Sequence, residues 1–186
     1  VLSAGAWGTA LAIAFAGRNA VSLWAREADV VESMRARREN ARFLPGHPLP
    51  EALQVASDFD AAVRAAELLV VATPLAGLRA TLQRIAEIAP GKPLVWVCKG
   101  LEAGTAKLPH VLAEEVLPAG SPYGALSGPS FAEEVANGLP TAVVSRLRRS
   151  SRVAVPEPLV VGGDAVRQVE ELGDGALTGA GAGVGL

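Results

Sequence analysis

The chain has 186 residues, half of them hydrophobic, which is enough for one domain with a sizeable core and the beginning of a second. Its 17 Lys and Arg residues stand against 19 Asp and Glu residues, so the formal charge is −2. A nucleic-acid-binding protein usually has a strongly basic domain or stripe, and this balance argues against that class. Cys98 is the single cysteine, which excludes an internal disulfide and makes a reducing cytoplasm the expected setting.

Metal binding and membrane insertion are both disfavoured. The two histidines, His47 and His110, have no His or Cys partner at a metal-ligand spacing, so we predict no metal site. The uncharged stretch 1–17 lacks a basic leader, contains glycines and is shorter than the ~20 residues that a membrane-spanning helix needs. We interpret it as a buried strand and a helix, and we predict no membrane span.

The first motif along the chain is Ser3-Ala4-Gly5-Ala6-Trp7-Gly8, between an apolar Val1-Leu2 and an apolar helical run. A dinucleotide-binding loop needs this order of strand, turn and helix, because the N–H groups at the helix start face a pyrophosphate. Gly5 and Gly8 take the second and third glycine positions of G-x-G-x-x-G, whereas Ser3 stands at the first. A plain helix start is the competing interpretation. Only two residues precede the loop, so we expect the first strand to lack its beginning.

The residues that discriminate between NAD and NADP are expected at the end of the next strand, Val21–Trp24. In such units an acidic residue about 20 positions after the loop binds the ribose 2′-OH of NAD, whereas an arginine suits the 2′-phosphate of NADP. Arg26 follows this strand and Glu27 comes next. NADP is therefore favoured, while Glu27 leaves NAD open. The competing interpretation is that Arg26 only belongs to a surface loop.

The rest of the pattern alternates strands with helices. Apolar runs without alternation, such as 68–73, are typical of parallel strands buried on both faces. Ser57 or Asp58 is the expected N-cap of one helix, and Ser130 with Glu133 forms a capping box at another. The predicted strands are 53–56, 68–73, 94–98, 123–126 and a final one at 141–145; the predicted helices are 28–38, 58–66, 75–89, 107–117 and 130–136, with an ordered loop at 40–50. This order predicts an α/β fold with a Rossmann-like, doubly wound, mainly parallel sheet.

Several motifs, taken in this order, resemble those of the bacterial NAD(P)-dependent glycerol-3-phosphate dehydrogenases. They are G-A-W-G-T-A-L-A from residue 5, L-W-A-R from residue 23, F-L-P-G from residue 43, A-T-P from residue 72, C-K-G-L-E from residue 98 and L-S-G-P-S-F-A-E-E-V-A from residue 126. The resemblance covers residues 1–144. Its most specific part is the pair K-G-L-E and S-G-P-S-F-A.

The resemblance implies reversible hydride transfer between NADPH or NADH and dihydroxyacetone phosphate, which yields sn-glycerol 3-phosphate for phospholipid synthesis in the cytoplasm. It implies substrate contacts at Lys99, Gly128 and Ser130. Together with the loop glycines, the expected cofactor-binding residues are Gly5, Ala6, Trp7, Gly8, Arg26, Lys99 and Ala132.

Elementary chemistry agrees with these roles. Of the three lysines, Lys99 is the one directly after a predicted strand, at the edge where parallel sheets bind ligands. Its ammonium could stabilise negative charge on a ketone oxygen or hold a phosphate without losing its proton at neutral pH. Gly128 and Ser130 could offer a backbone N–H and a hydroxyl to an oxyanion. The competing interpretations are a surface lysine before a turn and simple N-capping.

The C-terminal part departs from the family. Members continue into a helical domain with a proton-donating lysine in a G-A-L-K-N run, and the faintly similar stretch here has Thr178 in that place. A threonine hydroxyl is a much weaker acid or base near neutral pH, so no catalytic residue is certain. We predict a dinucleotide-binding domain at 1–145 and an atypical tail at 146–186, a candidate remnant of the helical domain.

Three functional hypotheses follow. The chain is the cofactor half of a glycerol-3-phosphate dehydrogenase with low or no turnover by itself, a non-catalytic dinucleotide-binding module, or a related hydroxyacid reductase. Without the family's helical domain, we expect apolar surface to be exposed and to favour self-association, with a homodimer as one outcome.

Overall fold

The computed structural model describes residues 1–127 and 131–139, together with the backbone of two further strands at 143–148 and 167–171. Strands alternate with helices throughout this part. The helices are α1 (Ala6–Ala16), α2 (Ala28–Arg37), α3 (Phe59–Ala65), α4 (Leu75–Ile88), α5 (Pro109–Val116) and α6 (Ala132–Ala136). The strands are β1 (Ser22–Trp24), β2 (Gln54–Ala56), β3 (Leu69–Val71), β4 (Leu94–Trp96), β5 (Tyr123–Ser127), β6 (Val143–Arg148) and β7 (Arg167–Glu171).

The sheet is parallel from β2 to β5. β1 pairs with β2, and β3, β4 and β5 pair in that order. Leu2 connects the two groups, because it forms parallel bridges with both Trp24 and Val71. The resulting order, β2-β1-Leu2-β3-β4-β5, places the first segment of the chain in the middle. Successive crossovers run outward from it in opposite directions, so the predicted doubly wound α/β fold is confirmed.

The far side of the sheet departs from the prediction. β6 pairs antiparallel with β5 and β7 pairs parallel with β6. The strand expected at 141–145 is therefore β6, at Val143–Arg148, and it is not the final one. β7 has the sequence Arg-Gln-Val-Glu-Glu, and a strand last in the sheet order can pair through its backbone without the apolar run that marks buried strands.

Two apolar clusters cover the two faces of the sheet. Neighbouring residues of a strand point to opposite faces, so Val70 belongs to one cluster while Leu69 and Val71 belong to the other. The first cluster includes buried residues of α1 and α2, such as Leu11 and Met34. The second is built from buried residues of α3, α4 and α5. Because helices cover both faces, a ligand is expected at the carboxyl ends of the strands, where open α/β sheets bind their ligands.

The helix starts agree with the sequence at α3 and differ at α6. An Asp58 carboxylate oxygen accepts a hydrogen bond from the Ala61 N–H at 2.9 Å, so Asp58 is the N-cap. At α6 the N-cap is Phe131 and the Glu134 carboxylate accepts from its N–H at 3.2 Å. The predicted capping box of Ser130 with Glu133 is wrong by one residue, because the carboxylate three positions after the actual N-cap is Glu134. Ser130 lies outside the described residues.

Replacing the α3 cap should measurably destabilise the protein. Asp58→Ala removes the acceptor for the Ala61 N–H, and we expect the free energy of unfolding to fall by about 1 kcal/mol. Asp58→Asn retains a cap oxygen and serves as the matched control. Urea unfolding followed by circular dichroism measures both, and equal loss in the two variants would contradict the role of the cap oxygen.

Candidate functional site

The glycine-containing loop lies at the carboxyl edge of the sheet, between β1 and β3. The Leu2 N–H donates to the Val70 carbonyl at 2.8 Å and the Ser3 N–H donates to the Trp24 carbonyl at 3.0 Å, which brings the chain to this edge. Helix α1 then begins after Gly5. This is the predicted order of strand, turn and helix. It directs the positive end of an 11-residue helix to the edge where open α/β sheets bind ligands.

The start of α1 offers backbone donors. Within the described residues, the N–H groups of Ala6, Trp7 and Gly8 donate to no protein acceptor. The first N–H groups of any α-helix lack an intrahelical partner, and here no side chain caps them either. Such a set of N–H groups, reinforced by the helix dipole, favours an anion such as a phosphate group.

Ser3 adopts the conformation that favours glycine at the first position of the motif. Its φ is +89°, in the region that residues with a Cβ rarely occupy. A side chain there costs on the order of 1 kcal/mol, and the pairing of Ser3 with Trp24 holds the strained residue in place. The serine therefore preserves the turn that the motif requires, at the cost of local strain.

Gly8 is required by close packing. A Cβ on Gly8 would lie 2.0 Å from the Ser3 carbonyl oxygen and 3.0 Å from the Ala72 Cβ, so no side chain fits. This close contact between helix and strand is the one expected of the third glycine. A Cβ on Gly5 would meet nothing within 4 Å, which leaves open space beside the loop. The two glycines are thus required on different grounds: Gly8 allows the close contact of helix and strand, and Gly5 leaves space for a ligand beside the loop.

The buried Asn40 side chain is hydrogen-bonded to this loop, a contact that sequence reasoning missed. Its side-chain Nδ2 donates to the Ala4 carbonyl and to Thr9 Oγ1, both at 2.8 Å, and its Oδ1 accepts from the Phe43 N–H at 3.3 Å. Asn40 is 1% exposed and Thr9 is fully buried. The sequence predicted only an ordered loop at 40–50. A contact across 36 positions leaves no local signal that could have revealed it.

Arg26 and Glu27, the two residues expected to discriminate between NAD and NADP, form an ion pair with each other. Arg26 lies two residues after β1 at the same edge, and its Nη2 is 2.9 Å from Glu27 Oε1. The Arg26 side chain is 82% exposed, so it can turn toward a ligand. Glu27 is the N-cap residue of α2. This pair places a positive and a negative group together where a ribose or its phosphate is expected.

Lys99 lies three residues after the end of β4, at the same carboxyl edge of the sheet. The Val97 N–H still donates to the Val71 carbonyl at 3.1 Å, so the chain departs from the sheet only after Val97. Gly100 then turns with a φ of +106°, which a glycine adopts without strain. Lys99 therefore follows β4 as predicted, on a turn rather than within the strand.

An ion-pair network fixes the segment after Lys99. Arg79 of α4 donates to Glu102 Oε1 at 2.7 Å and Oε2 at 2.9 Å, and also to Glu115 of α5 at 2.9 Å. Thr105 Oγ1 donates to Glu102 as well, and Lys107 pairs with Glu115. The hydrogen bonds from Arg79 and then Thr105 lower the pKa of Glu102 to about 2. The sequence did not indicate this anchor, because its members come from three separate segments.

Two further polar groups lie at the ends of β3 and β4. Burial raises the pKa of the Cys98 thiol to about 11, so it remains a protonated, unreactive thiol at neutral pH. The Thr73 hydroxyl is buried and has no hydrogen-bond partner among the residues that the structure describes. Buried polar groups are normally paired, which makes Thr73 a candidate ligand contact that the sequence analysis did not assign.

The other expected site residues are distributed as follows. Ala132 begins α6 and packs, partly buried, against the cluster that contains α1. Gly128, Ser130 and Thr178 lie outside the described residues. Across the described part of the chain, no group of three or more His, Cys, Asp or Glu side chains could hold a metal, and no helix is long and apolar enough to cross a membrane.

A methyl group at position 8 should disturb the loop and its packing. Gly8→Ala forces a Cβ against the Ser3 carbonyl, and we expect the free energy of unfolding to fall by roughly 1–3 kcal/mol. Gly17→Ala is the matched control, because a Cβ there meets nothing within 4 Å and the φ is −68°. Thermal or urea unfolding measures the difference. Equal stabilities of the two variants would contradict the close contact.

Acid should release the Glu102 anchor. The folded-state pKa is about 2 and lies below the ordinary value of 4.5, so the stabilisation is complete above about pH 4.5 and is lost as the pH falls through about 2. Glu102→Gln should therefore be less stable than the unmodified chain near pH 7 and lose less stability toward pH ~3. Glu87→Gln removes an exposed carboxylate of α4 and is the control. Parallel pH curves for all three proteins in urea unfolding would refute the anchor.

Comparison with known proteins agrees with this geometry. The model of the NAD-dependent glycerol-3-phosphate dehydrogenase N-terminus matches residues 1–152. A glycerol-3-phosphate dehydrogenase (NAD(P)+) of Dechloromonas aromatica is 59% identical over 143 residues, which are 77% of this chain and 44% of that protein. A second relative, from Thiobacillus denitrificans, is 57% identical over 143 residues, which are again 77% of this chain and 44% of that protein. The chain thus spans less than half the length of these relatives.

Solved structures show the same fold. The crystal structure of glycerol-3-phosphate dehydrogenase from Coxiella burnetii is 36% identical with a TM-score of 0.74, over 80% of this chain and 46% of that one. A pyrroline-5-carboxylate reductase from the same organism has a TM-score of 0.61 at 11% identity, over 94% of this chain and 58% of that one, and shows the fold alone. Because the family model covers most of the chain, this protein belongs to the family of the NAD-dependent glycerol-3-phosphate dehydrogenases, within the N-terminal region of its members.

Proposed function

We propose that this chain is the cofactor-binding half of an NAD(P)-dependent glycerol-3-phosphate dehydrogenase. The observation that carries the proposal is the group of N–H donors at the start of α1 that have no acceptor within the described part of the chain, at the point where the strand order reverses. A pyrophosphate is the ligand that this arrangement favours. Since the chain has a net charge of −2, the anion must be held by such local groups.

The cofactor contacts follow from this position. Gly5, Ala6, Trp7 and Gly8 would receive the pyrophosphate, with Gly5 leaving room for it. Arg26 would turn from Glu27 to the ribose, where its guanidinium suits the 2′-phosphate of NADP. Lys99 and Ala132 are the remaining cofactor contacts that we propose.

The substrate would bind beside Lys99. We propose dihydroxyacetone phosphate and sn-glycerol 3-phosphate, because the relatives are named for glycerol 3-phosphate. Bound nicotinamide would supply the hydride chemistry. The Lys99 ammonium would stabilise negative charge on the substrate oxygen or phosphate, while Gly128 and Ser130 would donate hydrogen bonds to it. In the cytoplasm, the product would serve phospholipid synthesis.

Turnover by this chain alone should be low. We propose a dinucleotide-binding domain at 1–145 and a tail at 146–186, and we propose from the faint family resemblance of the stretch around Thr178 that this residue takes the place of the family's proton-donating lysine. A hydroxyl transfers a proton poorly near neutral pH. The same replacement favours a second candidate function, a dinucleotide-binding module without catalytic activity. We also retain self-association as a prediction.

NADPH oxidation with and without dihydroxyacetone phosphate separates these functions. We expect the purified chain to bind NADPH, measured by quenching of tryptophan fluorescence, with low but detectable substrate-dependent oxidation. Turnover at the rate of a full-length relative would show that the proton donor lies elsewhere. Binding without any turnover would favour the module, and absence of dinucleotide binding would contradict both proposals.

Arg26 offers a sharper test of the cofactor site. Arg26→Gln should weaken NADPH binding by about tenfold and change NADH binding little, because only NADPH has the 2′-phosphate. Arg18→Gln removes the same charge just beyond the other end of α1 and is the matched control. Fluorescence titration gives the six dissociation constants, for NADPH and NADH with each variant and with the unmodified chain. Equal losses for NADPH and NADH would contradict a specific role for Arg26.

A further inference from the structure

The buried amide of Asn40 has one orientation that satisfies its neighbours. The Ala4 carbonyl can only accept a hydrogen bond and the Phe43 N–H can only donate one. Nδ2 must therefore face Ala4, at 2.8 Å, and Oδ1 must face Phe43, at 3.3 Å. The second Nδ2 hydrogen is directed to Thr9 Oγ1 at 2.8 Å. One side chain thereby joins the glycine loop, the first turn of α1 and the 40–50 loop.

This contact also decides where the next peptide N–H points. The peptide between Ala4 and Gly5 is trans, since the chain has no cis bond among its described residues. In a trans peptide the C=O and N–H point in nearly opposite directions. Because the Ala4 carbonyl points at the buried Asn40, the Gly5 N–H points away from it. A Cβ added to Gly5 would meet nothing within 4 Å, and within the described residues the Gly5 N–H has no protein acceptor.

Asn40 is itself rigidly held. The Asn40 backbone carbonyl accepts from the Leu44 N–H at 2.8 Å, and Arg38, two residues earlier, donates to the Leu53 carbonyl at 3.0 Å. Leu44 and Leu49, at 2% and 4% exposed, insert the loop into the core. The amide therefore acts from a segment that is hydrogen-bonded and packed into the core.

We infer that Asn40 is a positioning residue for the dinucleotide loop: it holds the Ala4 carbonyl inward and thereby aims the Gly5 N–H at the pyrophosphate. This rests on the proposed cofactor function. Without Asn40 the peptide can rotate, which removes a donor from the anion and turns a carbonyl oxygen toward it. Asn40 and Thr9 are both buried and act on the ligand only through the loop.

Asn40→Asp tests the inference at alkaline pH, since it preserves size and its carboxylate replaces the Nδ2 donor by an acceptor that repels the Ala4 carbonyl. We expect the dissociation constant for NADPH to rise by roughly tenfold or more. Leu112→Ala is the control for general destabilisation, because Leu112 lies in the cluster on the opposite face from α1. It should leave the dissociation constant within about twofold, measured well below its unfolding temperature.

Two Thr9 variants keep the test decisive if Asn40→Asp does not fold. Thr9→Val removes the oxygen that accepts from Asn40 at nearly the same volume, whereas Thr9→Ser keeps it. We expect weaker NADPH binding for valine and binding within about twofold of the unmodified chain for serine. Equal affinities of the Val and Ser variants, or equal losses in Asn40→Asp and Leu112→Ala, would overturn the inference.

Hydrogen–deuterium exchange separates this inference from the proposed function. If Asn40 positions the loop, the peptide covering residues 1–11 should exchange faster in Thr9→Val than in Thr9→Ser, with no cofactor present. That difference together with no NADPH binding by the unmodified chain would contradict only the cofactor proposal. Unchanged exchange in both variants would overturn the role of Asn40, whatever the chain binds.

Discussion

The close approach of α1 to the Leu2 segment is the constraint on which the site depends. Leu2 bridges β1 and β3, and Gly8 lets the helix pack directly on Ser3 and Ala72. Any side chain at Gly8 would push the helix away from the sheet, and with it the N–H groups that face the carboxyl edge. The strained φ of +89° at Ser3 is the conformational cost of this arrangement.

The geometry of the loop is preserved by contacts from outside it. Asn40 holds the Ala4 carbonyl from the buried side, and the Arg79–Glu102 pair fixes the segment that follows Lys99. Both supports are hydrogen-bonded and at least partly sheltered from water, where such bonds strengthen. A chain of net negative charge thus concentrates oriented donors at one edge of its sheet.

Much of the fold was predictable because its signals are local. Uninterrupted apolar runs identified β3 and β4, turn residues separated the elements, and Asp58 was one of two residues proposed to cap α3. The strand of polar residues at β7 was missed, because pairing through the backbone leaves no hydrophobic period. The start of α6 was misplaced by one residue, since adjacent acidic residues both suit a capping box.

The sequence by itself determined the α/β class, the glycine loop and the family resemblance, because these depend on residue type and short spacing. Only the tertiary structure decided which groups support that loop. Asn40 reaches Ala4 across 36 positions and Glu102 meets Arg79 across 23, so neither contact has a periodic or motif signal. Ser3 also looked like a mismatch in the motif until its positive φ showed that it makes the turn of a glycine.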